Sequence, residues 1–167
     1  MRVKGVVFED FVNYKKPVMY IAFPQCDFKC DKENGVQLCQ NCSLAREADI
    51  EIPDFKVIER YLSNPITEGV VIGGLEPFDT PNQLLKFIKA FRYHSSEPIV
   101  IYTGYTEDEL ESDKFKDIWN LIKSYGVIIK FGRFRPNQKP HYDEVLGVYL
   151  VSDNQYAKEY QQKKFDF

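Results

Sequence analysis

The sequence predicts an α/β fold with a mainly parallel sheet, and three observations support that prediction. Short apolar runs alternate along the chain with segments of helical periodicity, which is the pattern of strands joined by crossover helices. The apolar share of 44% and the charged share of 28% are those of a soluble globular protein. A length of 167 residues fits one domain, so we expect a single domain spanning 1–167.

The first half of the chain contains three predicted strands and one helix around a cysteine-containing loop. Val3–Phe8 and Val18–Phe23 are apolar runs of strand length. The polar loop at 25–45 follows and holds every cysteine of the chain. Asp54–Leu62 then has the pattern of a short helix, and Val70–Ile72 has that of a short buried strand.

A longer helix is predicted to begin after Thr80, which is suited to cap it. Pro81 takes the first helical position, and Gln83 completes a capping box. The helix separates two strands, as parallel pairing requires. Its apolar stripe at helical spacing comprises Leu84, Leu85, Ile88 and Phe91.

The last third of the chain continues the alternation of strands and helices. Thr106 and Glu109 form a second capping box, which opens a helical region that reaches about Tyr125. We expect residues 156–167 to form a C-terminal tail that can be flexible. The remaining predicted strands are Ile99–Tyr102, Val127–Phe131 and Val145–Val151.

Each unusual segment of the sequence directly follows a predicted strand. In open α/β sheets, ligands bind at the carboxyl ends of the strands. We therefore expect these segments to converge on one site. They are the cysteine loop, Gly73–Pro77, Thr103–Tyr105, Gly132–Phe134 and Ser152–Gln155.

Composition and charge argue against a nucleic-acid-binding, membrane or secreted protein. A net charge of −3 gives no general attraction to nucleic acid or to an anionic membrane. No apolar run approaches the roughly 18 residues of a membrane span, and the N-terminus lacks the features of a secretory signal. We therefore expect a cytoplasmic protein with reduced thiols, whose four clustered cysteines are candidate metal ligands.

The cysteine spacing by itself leaves two kinds of metal site open. Three residues separate Cys26 from Cys30, eight separate Cys30 from Cys39, and two separate Cys39 from Cys42. Thiolates hold both iron–sulfur clusters and structural zinc, and four of them would close a zinc tetrahedron. A zinc site and an iron–sulfur site therefore both agree with the cysteines.

Taken in order, the motifs resemble one enzyme family. The cysteine loop is similar to the C-x3-C-x2-C loop of the radical S-adenosylmethionine enzymes, with 31–37 as an insertion. Gly73–Pro77 resembles the G-G-E-P segment of that family, although Leu75 departs from it. Three later segments resemble those of the activating proteins of anaerobic ribonucleotide reductase, namely Tyr102–Tyr105, Gly132–Phe134 and Asp153–Gln155.

The resemblance implies a [4Fe-4S] cluster bound by three cysteines, with one iron left open for the methionine part of S-adenosylmethionine. Cys26 and Cys30 would be the first two ligands. Cys39 would be the third, because the residues after Cys39 match the activase pattern and those after Cys42 do not. Cys42 would then be a spare thiol near the cluster.

The resemblance also implies which residues bind S-adenosylmethionine. Glu76 would neutralise the methionine ammonium group, and Leu38 would lie against the adenine. No further catalytic residue is implied, since the cluster and the cofactor carry the chemistry. The other expected cofactor-binding residues are Gly73, Gly74, Thr103, Gly104 and Tyr105.

The fold implied by the resemblance is an incomplete TIM-like barrel with a mainly parallel sheet, as in minimal radical S-adenosylmethionine domains. The implied reaction is reductive cleavage of S-adenosylmethionine to a 5′-deoxyadenosyl radical. That radical would generate a glycyl radical on an anaerobic (class III) ribonucleoside-triphosphate reductase. A flavodoxin- or ferredoxin-like protein would supply the electron.

Two other functions stay open at this point. A radical enzyme of the same superfamily could act on a small molecule of the 7-deazaguanine or pterin type. A non-catalytic interaction module could bind zinc through four cysteines. A basic stretch could meet a partner protein or the cofactor carboxylate, or be a solvated loop; it comprises Lys130, Arg133, Arg135 and Lys139.

Overall fold

A six-stranded sheet forms the centre of the protein, whose computed structural model describes residues 1–163. In spatial order the sheet reads β10-β7-β6-β5-β3-β2. The four central strands are parallel, and β2 and β10 pair antiparallel at the two edges. The strands are β1 (Arg2–Val3), β2 (Gly5–Asp10), β3 (Val18–Phe23), β4 (Ile50–Glu51), β5 (Val70–Gly74), β6 (Ile99–Tyr102), β7 (Ile128–Phe131), β8 (His141–Asp143), β9 (Val148–Leu150) and β10 (Tyr156–Glu159).

The helices connect the strands of this sheet, which gives the predicted mixed α/β fold. A short 3-10 turn, Pro77–Asp79, follows β5. No helix within residues 1–163 is long and apolar enough to cross a membrane. The helices are α1 (Lys29–Asn34), α2 (Cys42–Arg46), α3 (Asp54–Leu62), α4 (Pro81–His94), α5 (Glu107–Glu111) and α6 (Lys116–Ser124).

The two faces of the sheet are covered by different elements, because side chains alternate along each strand. Ile72 and Ile101 face the main core, which includes the apolar sides of α3, α4 and α6. Val71 faces the opposite side, where it belongs to a second cluster with Leu146 and Leu150 of the β8–β9 region. Both faces are therefore buried, which explains why the central strands are nearly continuous apolar runs.

Two strand predictions need correction. The predicted strand Val3–Phe8 is divided into β1, which pairs with β4, and β2. The predicted strand Val145–Val151 lies outside the central sheet, because its middle forms a separate hairpin with β8. The sheet ends instead at β10, inside the segment 156–167 that was expected to be a flexible tail. Residues 164–167 lie outside the described part of the chain.

One of the two predicted capping boxes is confirmed and the other is wrong. Thr106 accepts from the Glu109 N–H (3.2 Å), and Glu109 accepts from the Thr106 N–H (2.9 Å). Thr80 precedes α4 but, among the described residues, its side chain makes no capping bond. Gln83 instead bonds the backbone N–H and carbonyl of Arg2 (2.8 Å each), which fastens the N-terminus to α4.

Candidate functional site

A cavity of about 370 Å³ lies at the carboxyl ends of the parallel strands. One wall includes Cys26, Cys30 and Cys39. Cys42, the first residue of α2, is not among the lining residues in the described part of the chain. The opposite wall follows β5, β6 and β7 and includes Glu76, Thr103, Gly104, Tyr105 and Lys130.

The cysteine wall begins in a tight turn directly after β3. The Phe28 N–H donates to the Cys26 sulfur at 3.2 Å, and Phe28 adopts a left-handed conformation with φ of 54°. Non-glycine residues rarely adopt this conformation, and it marks local strain. The turn leads into α1, which carries Cys30.

Side-chain bonds to the backbone position the rest of the cysteine wall. One oxygen of Asp31 accepts from the N–H groups of Leu38 and Cys39 (2.8 Å each). Asn41 donates to the Gly74 carbonyl oxygen (2.7 Å), which ties the segment after Cys39 to the end of β5. The 31–37 segment thus returns the chain to the cavity instead of extending away from it.

The positions of the sulfurs bear on the two kinds of metal site that the sequence leaves open. A tetrahedral zinc ion with Zn–S bonds of about 2.3 Å needs sulfurs about 3.8 Å apart. Within residues 1–163, no three cysteine sulfurs lie within 4.8 Å of one another. No three thiols are thus preset at the spacing of a closed zinc tetrahedron, and three thiols that line one cavity also suit a multi-iron cluster.

Partial burial raises the pKa of the three thiols that line the cavity. Desolvation is the largest cause in each case, raising the pKa of Cys26 to about 12 and that of Cys39 to about 11, and also raising the pKa of Cys30. The carboxylates of Glu76 and Asp79 add to the effect at Cys26. A metal centre must displace the thiol protons to bind, so binding of the cluster releases protons. The bound cluster also stabilises the cysteine wall.

Glu76 is the buried acid of the opposite wall, with 5% of its surface exposed. One carboxylate oxygen accepts from the Phe78 N–H (3.0 Å) and the Thr103 hydroxyl (2.8 Å), and the other accepts from the Gly104 N–H (2.8 Å). Burial nevertheless raises the pKa of Glu76 to about 7. These bonds fix the carboxylate at the cavity, where it can receive a cation.

Lys130 is the buried base of the same wall, with 8% of its surface exposed. Its ammonium donates to the Gly132 carbonyl oxygen (2.8 Å) and lies 6.0 Å from the centre of the Tyr102 ring. Burial lowers the pKa of Lys130 to about 8, and the Glu76 carboxylate opposes that shift. The cavity therefore presents one buried acid and one buried base, which suits an amino acid zwitterion.

Two glycines allow the backbone to approach closely at this site. Gly74 has φ of 87°, and a Cβ there would lie 2.7 Å from the Ala22 Cα. At Gly104, a Cβ would lie 3.2 Å from the Arg133 side chain and 3.5 Å from a Glu76 oxygen. A side chain at either position would disturb the path between β3 and β5 or the bonds of Glu76.

The structure brings most of the sequence-predicted site residues to one cavity, with two exceptions. Gly73 is buried in β5 beside the Tyr20 and Tyr102 side chains and does not line the cavity in the described residues. Leu38 lies next to Cys39 but is likewise absent from the lining. The predicted residues that do line it are Gly74, Glu76, Thr103, Gly104 and Tyr105.

The basic stretch does not form one surface. Lys130 and Arg133 line the cavity, whereas Arg135 and Lys139 are exposed. Arg133 makes a bidentate ion pair with Glu109 (2.9 Å for each bond). The interpretation as a solvated loop therefore applies only to the end of the stretch. The sequence signal that distinguishes Lys130 from the other basic residues of the stretch is its position inside an apolar strand.

Asp79 is a further residue of the site that the motifs did not indicate. One of its oxygens accepts from the Asp27 N–H (2.7 Å), and the other accepts from the Tyr105 hydroxyl (2.7 Å). It therefore links the turn after Cys26 to the loop after β6. Its only sequence signal is an acid at the end of the turn that follows Glu76.

These observations test whether the residues fit an iron–sulfur cluster. Three thiols line one cavity, and one buried acid and one buried base lie across from them. Soft thiolate ligands in such a set are typical of iron–sulfur centres. The residues present therefore fit the group, with Cys26, Cys30 and Cys39 as the candidate ligands.

Comparison with known proteins gives one result. Residues 17–156 match the family described as a 4Fe-4S single cluster domain, a range that contains all four cysteines and both walls of the cavity. Neither the curated proteins nor the solved structures gave a significant match. On the strength of this match over most of its length, the chain belongs to the 4Fe-4S single cluster domain family.

Proposed function

We propose that this protein is a radical S-adenosylmethionine enzyme that generates a glycyl radical on an anaerobic ribonucleoside-triphosphate reductase. The observation that supports the proposal is the single cavity shared by three cysteines, a buried acid and a buried base. Cys26, Cys30 and Cys39 would bind the cluster and leave one iron without a protein ligand.

The acid and the base would orient the methionine part of S-adenosylmethionine. Glu76 would accept its ammonium group, and Lys130 would pair with its carboxylate. Both side chains are held by hydrogen bonds to the ends of the strands, so they need little reorganisation when the cofactor binds. The cavity volume of about 370 Å³ lies within the roughly 300–1,000 Å³ of small-molecule sites.

The bound cluster would supply the electron that cleaves S-adenosylmethionine to methionine and a 5′-deoxyadenosyl radical. The protein would contribute binding, orientation and the exclusion of water. Thr103 and Gly104 would form the floor beside Glu76, and Tyr105 would line the adjoining wall. A radical removes a hydrogen atom from a glycine without a general base, so the proposed mechanism assigns no residue to that role.

An open side of the cavity would admit the client. The sheet is open, with antiparallel edge strands β2 and β10, which suits the incomplete barrel of a minimal radical S-adenosylmethionine domain. Val12, Tyr149 and Val151 line the cavity and are 71%, 72% and 41% exposed. An apolar rim of this kind suits a glycine-bearing loop of the reductase, with a flavodoxin- or ferredoxin-like protein as electron donor.

The test of the proposed function is product analysis under anaerobic conditions. Reconstituted protein that is reduced in the presence of S-adenosylmethionine should form 5′-deoxyadenosine and methionine in equal amounts. Addition of an anaerobic ribonucleotide reductase should then produce a glycyl radical detectable by electron spin resonance. No 5′-deoxyadenosine from a protein with a full cluster would contradict the radical reaction.

The same experiment separates the other candidate functions. A protein that forms 5′-deoxyadenosine only with a pterin or 7-deazaguanine precursor, and gives no glycyl radical, would be a small-molecule enzyme of the same superfamily. A protein that purifies with one tightly bound zinc and no sulfide would be the non-catalytic module. The match of residues 17–156 to a 4Fe-4S single cluster domain argues against that last outcome.

A further inference from the structure

Two carboxylates lie beside the sulfur of the first candidate ligand. The Cys26 sulfur, one Asp27 oxygen and one Asp79 oxygen all lie within 4.8 Å of one another. Carboxylates repel a thiolate, and Asp79 is one of the groups that raise the pKa of Cys26. The two carboxylates therefore disfavour the thiolate form of Cys26 and do not help it to bind a metal.

Asp79 borders a different cavity from the one proposed to bind the cofactor. It lines a second, open cavity of about 560 Å³ together with Cys26 and Asp27, and it is not among the described residues that line the first. A direct contact with S-adenosylmethionine therefore does not explain the carboxylate. The group that it faces is the Cys26 sulfur itself.

The carboxylate of Asp79 is fixed in place, and no described cation pairs with it. The Asp27 N–H and the Tyr105 hydroxyl bond its two oxygens, and its own N–H bonds the Glu76 carbonyl oxygen (3.1 Å). No ion pair to Asp79 occurs among the residues that the structure describes. The nearby Lys114 instead lies over the Phe115 ring at 4.6 Å.

We infer that Asp79 is a positioning residue that lowers the reduction potential of the cluster bound through Cys26. This inference rests on the proposed ligation by Cys26. Reduction adds one electron to the cluster, supplied by a low-potential one-electron donor, and that electron is gained less readily beside a fixed anion. A lower potential makes the reduced cluster a stronger donor to the sulfonium of S-adenosylmethionine.

A purely structural role is the competing explanation, because Asp79 also ties the turn after Cys26 to Tyr105. Asp79→Asn separates the two roles. The amide oxygen can accept from the Asp27 N–H, and the amide nitrogen can donate to the Tyr105 oxygen, so both contacts can persist without the charge. Asp79→Ala removes the contacts as well. Asp117→Asn is the matched control, because it removes one charge from the exposed side of α6.

The experiment is a redox titration of each reconstituted variant, followed by electron spin resonance of the reduced cluster, with iron and sulfide measured beforehand. We expect Asp79→Asn to keep the full iron content and to shift the midpoint potential in the positive direction. Asp117→Asn should leave the potential of the parent unchanged. Asp79→Ala should shift the potential in the same direction and should also lower the iron content.

A fully loaded Asp79→Asn variant with the parental potential would overturn the inference and leave Asp79 with a structural role alone. That result would leave the proposed function untouched, because the parent would still cleave S-adenosylmethionine. A cluster that survives Cys26→Ala would overturn the proposed ligation instead. The two failures are therefore distinguishable in one set of samples.

Discussion

The two walls of the cavity are built in different ways. On the sheet wall, Glu76, Thr103 and Lys130 are at most 8% exposed and are bonded to the ends of the strands. On the cysteine wall, all four thiols are partly exposed, and neither α1 nor α2 has a buried residue. The hydrophobic core thus preorganises the sheet wall, whereas the cysteine wall depends on a few polar bonds and on the metal centre.

The largest expected effect is the loss of the cluster when a ligand on the cysteine wall is removed. Cys26→Ala, Cys30→Ala and Cys39→Ala should each fail to retain the roughly four irons and four sulfides of a [4Fe-4S] cluster. Cys42→Ala is the internal control and should keep them, because Cys42 does not line the cavity. Iron and sulfide analysis after anaerobic reconstitution decides the matter, and a cluster lost only in Cys42→Ala would reverse the ligand assignment.

The next largest effect is on the sheet wall, where binding should fail without loss of the cluster. Glu76→Gln removes the charge expected to receive the ammonium group and replaces one of the two acceptor oxygens with an amide nitrogen, which must then face the N–H of Gly104 or of Phe78. We expect S-adenosylmethionine to bind roughly 10- to 100-fold more weakly, in line with about 1.5–3 kcal/mol for a charge-assisted hydrogen bond. Equilibrium binding to the reconstituted protein measures this, with the exposed Glu68→Gln as the matched control. Equal affinity for both variants would remove Glu76 from the binding site.

The pH dependence of binding should identify the acid and the base together. Glu76 is ionised only above its raised pKa of about 7, and Lys130 is protonated only below its lowered pKa of about 8. Affinity for S-adenosylmethionine should therefore fall below pH 7 and above pH 8. Lys130→Met should weaken binding and abolish the alkaline limb alone. An unchanged alkaline limb in that variant would assign it to another group.

A smaller effect is expected from the polar bonds that shape the cysteine wall. Asp31→Ala removes the acceptor of the Leu38 and Cys39 N–H groups without removing a candidate ligand. Since each such bond contributes about 0.5–1.5 kcal/mol, the cluster should be lost to a chelator faster by a factor on the order of ten. Asp113→Ala, on an exposed turn, should lose it at the parental rate. Equal rates in the two variants would mean that Asp31 does not position Cys39.

The smallest effect is expected at the ion pair that joins α5 to the end of β7. Glu109→Gln weakens the bidentate contact with Arg133 and should lower the unfolding free energy by about 1 kcal/mol or less, since Glu109 is about one-third exposed. Arg133 helps to lower the pKa of Glu109. The contribution is therefore present at neutral pH and is lost as the pH falls through that lowered pKa.

Chemical denaturation at neutral and acidic pH measures this contribution. The parent and Glu109→Gln should differ at neutral pH and converge in acid. A difference that persists unchanged in acid would assign the effect to packing instead of charge.

The sequence predicted the sheet wall better than the cysteine wall. The central strands are recognisable because buried parallel strands are apolar runs that end in glycine or polar turns. Glu76 was predicted from the resemblance of Gly73–Pro77 to the G-G-E-P segment. The roles of Asp31 and Asp79 were missed, because each acts on backbone N–H groups that no local pattern reveals. Contacts of that kind depend on the tertiary structure, and the positions of the two acids in the sequence do not predict them.

The errors in the fold have a similar cause. Val145–Val151 has the apolar composition of a sheet strand, but its middle pairs with β8 and covers the sheet face instead of extending it. β10 has the sequence Tyr-Ala-Lys-Glu, without an apolar run, because an edge strand can face solvent. Lys130 was grouped with its basic neighbours, although its place inside the apolar strand β7 separates it from them.

The most direct test of the account is the electron spin resonance spectrum of the reduced, reconstituted protein before and after addition of S-adenosylmethionine. A cluster with three cysteine ligands has one iron that can bind the cofactor, so the spectrum should change on addition, and Glu76→Gln should need more cofactor for the same change. Identical spectra with and without saturating S-adenosylmethionine would contradict the account.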